Sequence, residues 1–306
     1  MWNYLAQRLV HAVFVLIGIS LIIFITIRLT GDPVMMLLQD GNPSQEDIDE
    51  MRRLLDLDQP LPMQYVRFVA KAVTGDFGRS FHYSTPAMGL VLERMPATIT
   101  LTLSSMLVGI LVAFPMGIIS AVYRGRTLDF GVRLFSLIGI SMPNFWLGII
   151  LIIVFGVRLR WLPVSGNESW QHLILPSVAL GLALSGSLTR LLRSSMLDVL
   201  SEDYVRTAQA KGLSRRATLI GHALRNAMIP VLTILGLQFG LLLGGAVIVE
   251  NVFSWPGVGR LVVNSIGTRD YPVVQAAVIL LAVILLAANL LVDLLYTVVD
   301  PRIVLE

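Results

Sequence analysis

The sequence predicts an all-α integral membrane protein with six transmembrane helices, and three observations carry that prediction. Of its 306 residues 55% are hydrophobic and only 14% charged, with a mean hydropathy of +0.77, whereas a soluble domain has about 25% charged residues. Six stretches, at 10–27, 99–122, 132–157, 173–192, 228–249 and 273–298, are apolar over the roughly 20 residues that a helix needs to cross the hydrocarbon core. Between the fourth and fifth lies a polar, Arg-rich island at 201–230 that is longer than a loop joining two spans needs to be.

The first stretch follows Arg8, exceeds a signal-peptide core in length, and runs into Arg28 and Gly31-Asp32-Pro33 without a small-x-small cleavage site. Residues 1–30 therefore read as a retained anchor helix. Residues 31–96 read as a separate region on the outer side. There Pro43-Ser44-Gln45-Glu46 opens a helix with Ile48, Met51, Leu54 and Leu55 on one stripe. After Pro60 and Pro62, residues 63–73 present Tyr65, Phe68, Val69 and Ala72 at helical spacing, and Gly75-Asp76-Phe77-Gly78 is a turn. These stripes are expected to pack against their own helices. Residues 97–306 hold the remaining five spans and, at 201–228, the main cytoplasmic loop.

Small residues mark the fourth span (Gly181, Ser185, Ser187, Thr189) and the fifth (Gly236, Gly240, Gly244, Gly245). They allow close helix packing, and they also leave room for a solute and for rocking helices. Polar groups within spans are costly and few. Gln238 lies midway along the fifth span, Glu250 at its outer edge, and Gln275, Asn289 and Asp293 along the sixth. Asp293 sits about two turns from the cytoplasmic end, where hydration or Arg302 can satisfy it. Helix–helix hydrogen bonding is the expected role of Gln238 and Asn289. Ser185, Gln238, Gly244 and Asn289 are the candidates for a translocation path.

Orientation follows from the basic residues of the short loops. With the N-terminus inside, Arg124, Arg126 and Arg133 share one cytoplasmic loop, and Arg190, Arg193, Arg206, Lys211, Arg215, Arg216 and Arg225 the next. The opposite side has Arg158 and Arg160 in one loop, Arg260 and Arg269 in the other. Both termini and the 201–230 island are then cytoplasmic.

Several chemistries have no support. The net charge of +3 is too small and scattered to argue for nucleic acid. No cysteine is present, so disulfides, thiol catalysis and Cys-based metal sites are excluded. The four histidines form no HExxH pair, so no metal site is expected. There is no GxSxG elbow and no Walker A sequence. The chain is not expected to be an enzyme, nor to bind a cofactor itself.

The island has its own grammar. Ser201 is placed to cap a first helix running to Lys211, with Glu202 and Asp203 at its positive end. Gly212 can take the left-handed conformation that closes it. Ser214 is placed to cap a second helix to about Asn226, with Leu219, Ile220, Ala223 and Leu224 on one side and Arg215, Arg216 and His222 elsewhere. The expected element is helix–Gly–helix, amphipathic, at a membrane surface.

Thr207-Ala208-Gln209-Ala210-Lys211-Gly212, followed by His222-Ala223-Leu224-Arg225-Asn226 and Pro230, resembles the EAA loop of ABC-importer permeases. It is closest in form to the dipeptide, oligopeptide and nickel permease family. Arg206-Thr207-Ala208 stands where the general pattern has Glu-Ala-Ala, a departure that the peptide subfamily shares. An ordered set of further motifs is similar to that family: Gly31-Asp32-Pro33 (with Thr30 for a Pro), Leu57-Asp58-Gln59-Pro60-Leu61, Gly75-Asp76-Phe77-Gly78-Arg79-Ser80, Trp161-Leu162-Pro163, His172-Leu173-Ile174-Leu175-Pro176, Val252-Phe253-Ser254-Trp255-Pro256-Gly257, Asp270-Tyr271-Pro272, and Asn289 to Tyr296 with Asp300-Pro301-Arg302. The first span and the outer region resemble the B-type permease.

The resemblance implies a type I ABC-importer permease fold in the bacterial inner membrane. It implies a second homologous permease, two cytosolic ATP-binding subunits that use ATP and magnesium, and an extracytoplasmic solute-binding protein. Di- and oligopeptides are the implied cargo, with glutathione, nickel chelates, opines and short sugars carried by relatives. The residues implied to couple to the ATPase are Ser201, Tyr204, Arg206, Thr207, Ala208, Ala210, Lys211, Gly212, Leu213, Arg215, His222, Leu224, Arg225 and Asn226. The alternatives are an ion-coupled secondary transporter, which would dispense with ATPase partners, and a membrane enzyme.

Overall fold

A computed structural model describes residues 2–29, 34, 44–54 and 57–299. Helices dominate, and the described residues form no named strand, only an isolated bridge between Arg79 and Pro86. The chain divides into two compact units, one of residues up to 96 with 257–286, the other of 97–256 with the helix end that follows 287. Leu55, Gly31-Asp32-Pro33 and the Asp293 side chain, all singled out above, lie outside the described residues.

In the first unit, α1 (Trp2–Leu29) is followed by α2 (Gln45–Leu54) and α3 (Leu61–Val73). Ser44 starts α2 by a reciprocal capping exchange. Its Oγ accepts from the Asp47 N–H at 3.2 Å, and Asp47 Oδ2 accepts from the Ser44 hydroxyl at 2.7 Å and N–H at 2.9 Å. Those bonds hold the Asp47 carboxyl below its ordinary range. The Tyr65 and Phe68 stripe of α3 packs on α1, with ring centroids 5.3 and 5.9 Å from that of Phe24. Tyr65 OH meets Ser20 Oγ at 2.8 Å. The Arg28 guanidinium lies 3.5 Å from the Phe24 ring centroid, and its Nε and Nη2 both donate to Gln64 Oε1. A charge near the end of an apolar helix is thereby tied to a neighbouring helix.

Beyond α3, Ser80 leads into a connection organised by a fully buried carboxylate. Asp270 accepts from the Ser80 hydroxyl, from the Phe81 N–H at 3.1 Å and from the His82 N–H at 3.3 Å. Asp270→Ala would strand the buried Ser80 hydroxyl at a cost of about 1–3 kcal/mol and release the Phe81 and His82 N–H groups. We expect protease sensitivity around residues 75–86 to rise at least fivefold in membranes. Wild-type cleavage rates would refute this role. This unit also contains α10 (Val258–Gly267) and the start of α11 (Tyr271–Val299).

The second unit takes in the end of α4 (Ala87–Val122), α5 (Thr127–Ser141), α6 (Asn144–Leu151, prolonged by a wider π-helical turn to Arg158), α7 (Gln171–Leu200), α8 (Asp203–Ala210) and α9 (Arg225–Val252). α7 is its hub. The fourth span is the least apolar of the straight spans, and 61% of its window is buried, against 17% for α1. Its glycines bring backbones together: a Cβ on Gly181 would lie 2.7 Å from the Ser105 carbonyl oxygen of α4, and one on Gly186 2.7 Å from that of Ser136 in α5. On the facing helices, Gly109 meets Leu184 and Gly117 meets Leu192. The small residues of the fourth span thus serve close helix packing.

The third predicted span, 132–157, is not one straight helix. α5 and α6 meet at Met142-Pro143 with a bend of 103°. A proline disfavours the helical region for the residue before it, and Met142 is extended, at φ −87° and ψ 126°. Pro143 then starts α6, where its missing N–H costs nothing. With this bent pair counted as one span, the described residues hold six spans.

Two polar clusters are sealed in this unit. Glu250, expected at an outer edge, is fully buried and accepts from Thr98 Oγ1 at 2.7 Å. Asp129, in the first turn of α5, is 1% exposed. It receives the Ser120 hydroxyl of α4 (2.6 Å), the Gly125 N–H of the α4–α5 turn (2.9 Å), and a two-pronged approach from Arg193 of α7 at 2.8 and 3.0 Å.

Candidate functional site

The polar island is built at the end of the hub helix. α7 closes at Leu200, and the Ser201 hydroxyl turns back to donate to the Asp198 carbonyl at 2.7 Å. Ser201 therefore ends α7 and does not open the next helix. An N-cap needs extended backbone; Ser201 is helical at φ −86°, ψ −10°, and Glu202 takes the extended role at φ −70°, ψ 146°. α8 runs from Asp203 to Ala210, and Gly212 reverses the chain at φ +88°. A non-glycine residue pays a steric penalty there. Ser214 caps the following turn as the sequence indicates, its Oγ accepting from the Ala217 N–H at 3.2 Å.

The second helix does not stop near Asn226. A turn at Arg215–Ala217 passes into a π-helical segment, Thr218–Leu224, and on into α9 with Pro230 inside the helix. The buried positions explain the continuity. Thr218 and Ala223 face inward five residues apart, the spacing of π winding, and Ala223, Ala227, Val231 and Leu235 continue at four-residue steps. One hydrogen bond lost at Pro230 does not break a helix held along that stripe. The same winding turns Ile220 outward, 52% exposed, contrary to the apolar face expected for it.

α8 touches the rest of the protein through few side chains. Val205 is buried and Ala208 half-buried. Asn226 Nδ2 donates to Tyr204 OH at 2.7 Å, pinning α8 to the start of α9. Beneath α8 is a cavity of about 420 Å³ with Val122, Leu197, Leu200, Val205 and Leu219 among its walls. The structure thus gathers Tyr204, Arg206, Thr207, Ala210, Lys211, Gly212, Leu213, Arg215, His222, Arg225 and Asn226 as exposed residues of one local element, with Leu224 half-buried. Arg206 pairs with Asp203 at 3.6 Å, both exposed, a contact worth little in water. Tyr204, Leu213 and Ile220 add exposed apolar area among the cations. Such a surface is suited to docking a partner with acidic groups around an apolar cleft.

The four path candidates are spread over three helices, and among the described residues no hydrogen bond joins any two of them. Ser185 is fully buried, its hydroxyl donating to the Leu182 carbonyl of its own helix at 2.7 Å. Gln238 and Asn289 are half-buried, and among the described residues Asn289 Oδ1 has no hydrogen-bond partner. Gly244 is exposed, with open space where a Cβ would project. Sequence reasoning missed Val205 and Thr218 as the anchors of the island, and treated Arg193 only as a topological charge. No group of three or more potential metal ligands occurs among the described residues.

The helical arrangement has counterparts among solved structures. It is similar to the MetNI methionine ABC transporter in inward-facing conformations, with a TM-score of 0.60 at 18% identity, covering 70% of this chain and 97% of that one. An amino acid ABC transporter gives a TM-score of 0.53 at 16% identity, over 70% and 94% of the two chains. Residues 113–305 match the family of binding-protein-dependent transport system inner membrane components, and residues 1–102 match its N-terminal membrane component. The chain belongs to this family and is a permease subunit of an ABC importer. It is 45% identical over 304 residues to the glutathione transport system permease protein GsiC of Escherichia coli K12, covering 99% of each chain. The corresponding protein of Salmonella paratyphi A is 44% identical over the same length. It is thus a multi-pass inner-membrane protein.

Proposed function

We propose that this permease is the B-type half of an importer for glutathione or short peptides, driven from the cytoplasm through the α8–Gly212–Ser214 element. It pairs with a second, homologous permease to form the path and receives solute from an extracytoplasmic binding protein. Residues 1–30 serve as the anchor, 31–96 as the outer region, and 97–306 as the core, with both termini cytoplasmic. Two separate subunits bind and hydrolyse ATP with magnesium, and this chain binds no cofactor of its own. What supports the docking role is one observation: a helix–Gly turn that is exposed, basic and thinly tethered extends directly from the most buried span. The cargo assignment is supported by the relatives that are glutathione permeases.

The test is copurification. The tagged chain, expressed with its neighbouring genes, is expected to bring down an ATP-binding subunit. Purified without partners, it is expected to hydrolyse no ATP. ATP-independent uptake along an ion gradient would favour the secondary-transporter reading and sink this one. A calorimetric screen of the cognate binding protein with glutathione and with di- and tripeptides decides the cargo.

A further inference from the structure

We infer that Asp129 and Arg193 form a positioning pair that fixes the axial register of α7 against the α4–α5 turn. In this role the pair delivers movement of α8 to those helices. The inference rests on the docking role proposed above.

The case begins with how α7 is held. Its contacts with α4 and α5 include glycine-mediated backbone approaches at Gly181 and Gly186 and the Gly109 and Gly117 contacts, and the Ser104 and Ser177 hydroxyls join α4 to α7 at 2.7 Å. The neutral Ser104–Ser177 bond ties α7 to α4 alone. The Asp129 cluster adds a charged tie that joins three elements at once. One carboxylate, 1% exposed, binds α4 through Ser120, the α4–α5 turn through Gly125 and α7 through both prongs of Arg193. Arg133 of its own helix lies 3.6 Å away. Bidentate guanidinium–carboxylate geometry is directional, so a shift of α7 along its axis must break it.

Arg193 also sits where force would enter. It precedes Ser201 by eight residues, about 12 Å of helix, and only Ser201 and Glu202 separate α7 from α8. The cavity of about 420 Å³ beneath α8 has Val122 of α4 and Val205 of α8 among its walls. Displacement of α8 reaches the α4–α5 turn along α7 and across this pair, in parallel with the link through Tyr204 and Asn226 into α9.

The chain has no cysteine, which permits clean thiol reporters. Gln209→Cys on α8 and Thr127→Cys at the start of α5 replace exposed side chains. In the copurified complex, labelling rates at both are expected to change on adding ATP. Breaking one side of a buried pair leaves an uncompensated charge, whereas replacing both sides by apolar groups is often tolerated. In D129L/R193M the Gln209→Cys reporter should still respond to ATP, and the response of the Thr127→Cys reporter should shrink at least threefold. An undiminished response at Thr127→Cys overturns the inference. If that double variant does not assemble, R193K, which keeps the charge and loses the fork, is read in the same way: a response at Thr127→Cys reduced at least twofold supports the pair, and an unchanged one overturns it. Failure of the wild-type chain to bring down an ATP-binding subunit would sink the docking reading instead, a result separable from either of these.

Discussion

Gly212→Trp is expected to leave the chain in the membrane at wild-type abundance while abolishing its copurification with ATP-binding subunits. Gly212 has φ +88°, and nothing lies within 4 Å of where a Cβ would project. Adding a side chain therefore costs backbone strain of about 1–2 kcal/mol, with no internal clash. An indole at that position projects into open space, where the docked partner would have to sit. Gly212→Ala separates the two effects, because it carries the strain with almost none of the bulk and should retain most of the association. Undiminished copurification of the Trp variant, measured by quantitative pull-down, would remove Gly212 from the docking surface.

Gly181→Leu is expected to act by the opposite route, reducing membrane abundance at least tenfold. Its first added carbon would lie 2.7 Å from both the Ser105 carbonyl oxygen and Val108 Cβ. Ser105 O is backbone, so α4 itself must move. Overpacking of a well-filled core costs typically about 1–3 kcal/mol and more where backbone is displaced. Gly244→Leu is the matched control, since open space surrounds that position, and its abundance should stay within twofold of wild type. Immunoblots of membrane fractions decide the matter: a Gly181→Leu chain as abundant as wild type contradicts the close packing of α4 and α7.

Much of the fold was legible from hydropathy, which reports how a helix is solvated but not where it turns. The bend at Met142-Pro143 lies inside a continuous apolar run, and proline alone does not announce it. Pro176 and Pro230 both sit inside unbroken helices. Tertiary burial on either side of Pro230 keeps α9 continuous, a property that no local pattern records. Ser201 shows a similar limit. Its residue type suits an N-cap, but the backbone places the extended residue one position later, at Glu202. Ser214, in contrast, caps as expected.

The docking element was legible as a surface but not as an anchored object. Exposure of Arg206, Lys211 and Arg215 follows from polarity alone. Val205 and Thr218 look unremarkable in sequence, yet they are buried, together with Ala223 and Ala227. The 22-residue link between Tyr204 and Asn226 and the 64-residue link between Asp129 and Arg193 depend on long-range folding. Ile220 was misplaced because a 3.6-residue template was applied to a segment wound as a π-helix.

The contrast between α1 and α7 has a consequence for biogenesis. α1 is strongly apolar and scarcely buried, so lipid alone can host it. α7 is the least apolar of the straight spans and the most buried, and its polar and small side chains need α4 and α5 as their solvent. During synthesis, which proceeds from the N-terminus, α4 and α5 emerge before it. The order of spans along the chain is therefore also an order of dependency, in which α7 enters a bilayer that already holds α4 and α5, and α9, which packs on it as well, follows.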